Sequence, residues 1–255
     1  MMLMLSEPAR RRRAVLRTLV TAVLLLLPSI VAAQGPGFLF KQPVASLTFR
    51  AGYSVPSVSS DVFDDSREFL TVDRSDFNAF SFGGDLGIRA SDRLDIALGM
   101  TYARARTRSE FRDWTDEDDF PIEQETRLTR LPLTASVKAY LLDRGRTIGR
   151  YAWVPSKWAP YAGVGGGFMW YRYHQSGDFV DFDDLTIFPD VFESSGWTPT
   201  AHVLAGADFS LTPRLALTAE GRYGWARADM GADFVGFDKI DLAGFQATLG
   251  LSVRF

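Results

Sequence analysis

From Val44 onwards, apolar and polar residues alternate in short blocks along most of the chain. The pattern is clearest at the end. Phe245, Ala247, Leu249, Leu251, Val253 and Phe255 take every second position, and Gly244, Gln246, Thr248, Gly250, Ser252 and Arg254 fill the gaps. A strand sends alternate side chains to opposite faces, so this segment carries one apolar wall and one small, polar wall. The same period marks residues 44–53, 79–90, 94–104, 126–142, 158–173, 197–210 and 215–226, which predicts eight strands with 244–255. Two blocks are irregular. Pro132 cannot donate to a ladder, so a bulge is expected there, or a strand that pairs fully only from Leu133. Gly163, Gly165, Gly166 and Gly167 leave two readings open: room for bulky neighbours, or a bend.

The connections have their own rhythm. Residues 54–78, 110–125, 174–196 and 228–241 read as long polar loops; 91–93 and 211–214 are tight turns, and 143–157 is intermediate. Long and short connections alternate, so every long loop falls at one end. Transmembrane barrels have this asymmetry. The expected fold is all-β: an eight-stranded antiparallel up-and-down transmembrane β-barrel over 44–255, with both termini on the short-turn side. A bilayer offers no water to unpaired backbone, so such a sheet must close on itself.

Residues 1–33 read as a cleaved signal peptide, with Arg10 to Arg13 and Arg17 ahead of an apolar core and Val31-Ala32-Ala33 at the cleavage site. Residues 34–43 form a short lead, expected in the periplasm. Removing a leader with five arginines and one glutamate takes the net charge from −3 to about −7. The absence of cysteine excludes thiolate metal sites, a lipoprotein anchor and a disulfide scaffold. Twenty Phe, eight Tyr and six Trp are a heavy aromatic load. Tyr102, Trp170, Trp197, Tyr223 and Trp225 fall at loop-side strand ends and Trp158, Phe209 and Phe255 at the other, as interfacial girdles require.

Asp85, Arg89, Asp95, Lys138, Asp208, Glu220, Arg222 and Arg254 have inward parity, as does His202. Eight strands enclose a lumen wide enough only for side chains or one small ligand. Charges there must pair to offset desolvation. A cross-linked plug is the favoured expectation and a polar conduit the alternative. The long loops are acidic, whereas 143–157 is basic. Asp116, Glu117, Asp118 and Asp119, with Asp181, Asp183 and Asp184, form a candidate divalent-cation rim of hard oxygen ligands, although their spacing lacks the glycine of an EF-hand loop. Phe179, Phe182, Phe188 and Phe192 are interleaved with acids, so that loop is expected to fold over the barrel mouth. The acidity argues against nucleic acid. No phosphate loop or HExxH motif appears, no cofactor is implied, and a non-enzyme is expected.

The terminal aromatic strand, the leader, the loop rhythm and Pro160-Tyr161-Ala162-Gly163-Val164-Gly165-Gly166-Gly167 together resemble small outer-membrane β-barrel proteins of the OmpA-transmembrane-domain, OmpX and OmpW kind, over 44–255. That resemblance implies a place in the bacterial outer membrane among lipid and lipopolysaccharide. It also implies a barrel-assembly machinery that reads Phe245, Leu251, Val253 and Phe255. A structural or surface-interaction role follows, with an OmpW-like narrow channel for small hydrophobic molecules as the alternative. His174-Gln175-Ser176 loosely resembles the His-x-Ser of lipid A deacylases, which would imply a lipid A-modifying enzyme. Gly177 stands where that family has Asn, and the acid partner is open among Asp178, Asp190 and Glu193.

Overall fold

The computed structural model describes residues 37–116, 118–149, 151–182 and 184–255. The leader at 1–33, the start of the lead at 34–36, Glu117 and Asp183 lie outside the described residues. Eleven strands follow in order: β1 (Ala45–Pro56), β2 (Ala79–Arg89), β3 (Leu94–Thr115), β4 (Pro121–Tyr140), β5 (Gly145–Ile148), β6 (Ala152–Pro155), β7 (Trp158–Val180), β8 (Ile187–Ser210), β9 (Leu215–Ala228), β10 (Ile240–Asp241) and β11 (Gly244–Arg254). One helix, α1 (Asp61–Phe69), lies between β1 and β2.

Eight strands form an antiparallel ring in the order β1-β2-β3-β4-β7-β8-β9-β11. It closes where β11 meets β1, from Ser46 opposite Arg254 to Pro56 opposite Gly244. Closure leaves the spanning strands no free edge, and their outer face is apolar: Phe49, Phe82, Leu98, Met100, Val137, Val164, Phe168 and Leu249 are all exposed. Such a continuous exposed belt belongs against hydrocarbon. Among the described residues no helix is long and apolar enough to cross a membrane; the crossing is made by strands. The fold is an eight-stranded up-and-down transmembrane β-barrel.

Both irregular blocks are regular in the structure. Leu133 pairs with Met100 and Arg130 with Ala103 in one register, so β4 has no bulge at Pro132. The ladder to β3 skips Leu131 and Pro132 without a shift, while Pro132 faces Met169 of β7. β7 holds a single register from Trp158 to Val180 against β8. Gly165 admits bulk: a Cβ built on it would meet the His202 ring at 2.7 Å.

The larger correction concerns the loops. β3 and β4 run on to Thr115 and from Pro121, and β7 and β8 run to Val180 and from Ile187. Most of 110–125 and 174–196 is therefore strand, and four strands stand well above the rest of the ring. Their period-two alternation continues, but both faces change chemistry. On the outer face of β3, Leu94, Ile96, Leu98, Met100 and Tyr102 give way to Arg104, Arg106, Arg108, Glu110 and Arg112. On the inner face, Asp95, Gly99 and Thr101 give way to Ala103, Ala105 and Phe111. The barrel is inside-out within the membrane and right side out above it.

The concave apolar wall so formed is filled by segments expected to be polar loops. Helix α1 begins after Ser60, with Asp61 and Asp64 in its first turn and Arg67 in its last, as the helix dipole favours. It buries Val62, Phe63 and Ser66, one stripe at helical spacing. A 3-10 turn at Arg74–Phe77 adds Phe77, and another at Ala232–Phe234 adds Phe234. Together with Leu128, Met169, Tyr171, Tyr173, Ile240 and Leu242 the apolar ones make the largest buried apolar cluster among the described residues. At the opposite end, β5 and β6 form a hairpin within 143–157, and its Trp153 pairs through the backbone with Leu39 of the lead.

Candidate functional site: the lumen and its lid

The middle of the lumen is organised around Glu220 on β9. Its Oε1 accepts from Arg50 at 2.6 Å and from Arg222 at 3.0 Å. Its Oε2 accepts from Lys138 at 2.6 Å and from the Tyr161 hydroxyl at 3.0 Å. Arg50 also donates to Asp85 at 2.8 Å. Three cations thus meet two carboxylates, all buried. Lys138 lies over the Tyr161 ring, 4.8 Å from its centroid. Charges in so dry a space are stable only when each is paired and hydrogen-bonded. Space for the tyrosine comes from β8, where a Cβ on Gly206 would lie 2.8 Å from its hydroxyl. One layer towards the lid, the Ser136 Oγ and His202 Nε2 are hydrogen-bonded at 2.8 Å.

A second layer closes the turn side. Asp208 accepts from Tyr140 at 3.0 Å and Thr218 at 2.8 Å, with Arg254 at 3.6 Å. Asp95 accepts from both sides of its carboxylate, at 2.7 and 2.6 Å, from a single Arg144 nitrogen. The Arg144 guanidinium also lies 4.3 Å from the centroid of the Tyr140 ring. Of the eight expected lumen residues, Asp85, Lys138, Glu220 and Arg222 come together in the centre. Asp95, Asp208 and Arg254 sit in the layer below.

Arg89 lines the turn-side opening beside Asp95, Asp208 and Arg254 but pairs with the turn, donating to the Ser91 carbonyl at 3.2 Å and to Asp92 Oδ1 at 3.2 Å. It is the last residue of β2, next to the turn whose groups it binds. Sequence reasoning left Arg50 out of the network although its parity was inward, and placed Arg144 in the basic turn-side connection. Only the fold of that connection brings Arg144 back into the opening.

Between the Glu220 layer and the lid is a cavity of about 60 Å³ lined by Arg130, Thr134, Thr200, His202 and Arg222. Arg130 donates to Ser54 Oγ at 2.8 Å. Above, α1 is tied down by named bonds. Ser66 Oγ donates to the Val62 carbonyl at 2.7 Å and lies 3.1 Å from the Tyr173 hydroxyl. Asp238 N donates to Asp61 at 2.6 Å, and Asp241 N to Ser60 Oγ at 3.1 Å. Burial raises the Tyr173 phenol above its ordinary pKa, which keeps it protonated. Desolvation, with Glu68 and Asp61 nearby, also raises the pKa of Asp65 on α1.

A larger cavity of about 210 Å³ lies between α1 and the β7–β8 hairpin, lined by Phe69, Phe111, Phe179, Phe192 and Phe234 with Asp65 and Asp233. Phe179 and Phe192 pack edge to face at 4.6 Å, and Phe182 lies 5.2 Å from Phe69. The aromatic residues of the third long connection do fold onto the other connections.

The described acids of the two tips bond within their own turns. Asp116 Oδ1 accepts from the backbone of Asp118 at 2.9 Å and Phe120 at 2.7 Å, closing its own turn. Asp184 Oδ1 accepts from Thr186 N at 3.0 Å and Oγ1 at 2.7 Å, which holds its pKa below the usual value. Asp118 and Asp119 sit on the first tip, whereas Asp181 lies with Asp184 on the second. Among the described residues no group of three or more acidic or histidine side chains is arranged to hold a metal ion.

His174 and Ser176 lie on the outer face of β7, opposite Arg127 and Glu125. The His174 Nδ1 is buried without a hydrogen-bond partner, and of the candidate acids Glu193 lies opposite His174 on β8. A serine nucleophile needs both a base and a group to orient it.

Fold and lumen define a transmembrane β-barrel with a polar, charge-paired interior. No family model matches the chain, and no curated protein matches it in sequence. Among solved structures, Neisserial surface protein A is similar at 16% identity over 83% of this chain and 96% of that one, with a TM-score of 0.42. The outer membrane protein OprG of Pseudomonas aeruginosa is similar at 14% identity, covering 85% and 99%, with a TM-score of 0.44. Ail, the attachment invasion locus protein of Yersinia pestis, is similar at 13% identity, covering 84% and 100%, with a TM-score of 0.43.

Proposed function

We propose that this protein is an integral, non-catalytic barrel of the bacterial outer membrane, with a lumen closed by side chains and a folded extracellular lid that serves as an interaction surface. One observation carries the reading. Glu220 gathers donors from β1, β4, β7 and β9, so strands on all sides of the ring are braced through one carboxylate. A brace of that kind occupies the path a solute would take. In this reading Phe245, Leu251, Val253 and Phe255, on the outer face of the closing strand, are what the barrel-assembly machinery reads. Divalent cations screen the acidic tips rather than fill a built site.

A narrow channel for small apolar molecules is the second reading, and the 210 Å³ aromatic cavity favours it. Planar-bilayer recording of the purified protein separates the two. The closed lumen predicts no steady single-channel steps, and reproducible steps in the unaltered protein would remove the plug. Fractionation of cells tests the location: recovery in the inner membrane or the soluble fraction would overturn it.

A further inference from the structure

Strand register turns the outer wall of β3, β4 and β7 into a grid just above the apolar belt. Arg104 lies opposite Thr129, and Thr129 opposite Arg172. One row higher, Arg106 lies opposite Arg127, and Arg127 opposite His174; above that, Arg108 lies opposite Glu125. With strands about 5 Å apart and alternate residues about 7 Å apart, five guanidiniums share a face on the order of 10 by 14 Å.

Only two carboxylates, Glu125 and Glu193, stand in the same three rows. Glu125 is shared by Arg106, whose Nε donates at 2.6 Å, and Arg127. Glu193 takes Arg172 at 3.2 Å. Arg104 and Arg108 have no ion pair among the described residues. Arginines directly opposite one another, as Arg106 and Arg127 are, weaken a sheet through repulsion. A shared carboxylate offsets that only in part, so the wall retains an excess of positive charge.

The position is as informative as the charge. Tyr102 and Trp170 precede Arg104 and Arg172 by two residues on the same faces, and Trp170 lies opposite Trp197. Such rings mark the headgroup boundary. The Arg172 guanidinium lies 5.4 Å from the centroid of the Trp170 ring, which holds it at that level. The tips above are acidic, so the cationic face is confined to one side of the barrel at one depth.

We infer that this face binds the phosphate-bearing headgroup of an outer-leaflet lipid, with Arg104, Arg106, Arg108, Arg127 and Arg172 supplying the donors. Guanidinium forks match phosphate oxygens in pairs, which a scattered set of lysines would not. Glu125 holds Arg106 and Arg127 in place for that contact. The inference rests on the outer-membrane reading, which fractionation tests separately.

The test uses the full chain, folded in detergent, with folding checked by heat-dependent gel mobility. Bisphosphorylated lipid A, and the same lipid stripped of its phosphates, are offered in turn, and retained lipid is read by native mass spectrometry. Retention of the phosphorylated form at least about tenfold better is expected, falling about fivefold for each arginine removed. The first variant is Arg104→Gln with Arg106→Gln and Arg108→Gln. Should it fail to fold, Arg104→Gln with Arg108→Gln orphans no carboxylate and is read instead. Arg93→Gln, on the turn side, should leave retention unchanged. Equal retention of the two lipids, or undiminished retention by a folded variant, overturns the inference. So does displacement by inorganic pyrophosphate at the lipid's own concentration, which would make a soluble phosphate the ligand.

Discussion

The membrane-embedded and loop-side parts of this barrel are made from the same strands with opposite polarity. Within the bilayer β3 turns Leu98 and Met100 outwards and Asp95 and Gly99 inwards; above it the strand turns Arg106 and Arg108 outwards and Phe111 inwards. The solvent outside decides. Hydrocarbon accepts apolar side chains and leaves polar ones to pair in the lumen, whereas water accepts arginines and drives apolar ones into a core. The lumen is therefore held by charge pairing around Glu220, and the lid by packing around Phe63 and Tyr173.

Removing the organising group from each part separates the two modes. Glu220→Ala leaves Arg50, Lys138 and Arg222 without their shared partner. A loss of about 3–5 kcal/mol is expected in urea unfolding from lipid vesicles, the cost of stranding buried charge. A variant within about 1 kcal/mol of the parent would mean that water already fills the lumen.

Phe63→Ala hollows the lid, where Phe63 is 0% exposed and packs edge to face on Phe77 at 5.0 Å and Tyr173 at 5.7 Å. The local cost is about 3–5 kcal/mol. Because the ring does not depend on α1, protease should cut 57–78 faster while gel mobility of the barrel stays unchanged. Loss of the folded barrel would show that lid and ring are one cooperative unit.

A paired exchange on one face of one strand tests the boundary. Leu98→Arg should cost about 2–4 kcal/mol against lipid. Arg106→Leu, eight residues on, should change barrel stability by less than about 0.5 kcal/mol in water. Equal effects would place the bilayer elsewhere.

The smallest effect is a pH dependence confined to the lid. Asp65 has its pKa raised by desolvation and by Glu68 and Asp61. An acid with a raised folded pKa binds its proton more tightly when folded. Lid stability should thus decline as pH rises from the unfolded value of about 3.9 through the folded one, then level off. Asp65→Asn should flatten that decline in amide exchange of α1; an unchanged slope would assign it to another group.

Much of the ring could be read from residue order. All eight spanning strands and both tight turns lie where alternation put them, and most of the lumen charges have the inward parity assigned to them. The lid was misread for a physical reason. Residues 54–78 are rich in Ser and Asp and 110–125 in Asp and Glu, so composition reads as loop. Yet the inward parity of Ala103, Ala105 and Phe111 continued unbroken, and Val62, Phe63, Ser66 and Phe69 kept helical spacing. Charge on the outer face masked both signals.

Period-two alternation is a local property, so residue order alone was enough for the number of spanning strands, the facing of each wall and the ends at which the turns lie. Which side chains meet across the lumen is not local. Arg50 and Glu220 are 170 positions apart, and Arg144 reaches Asp95 only because its hairpin folds back under the ring. Ring closure decided those partners, since a closed cylinder brings strands from opposite ends of the chain within the length of two side chains.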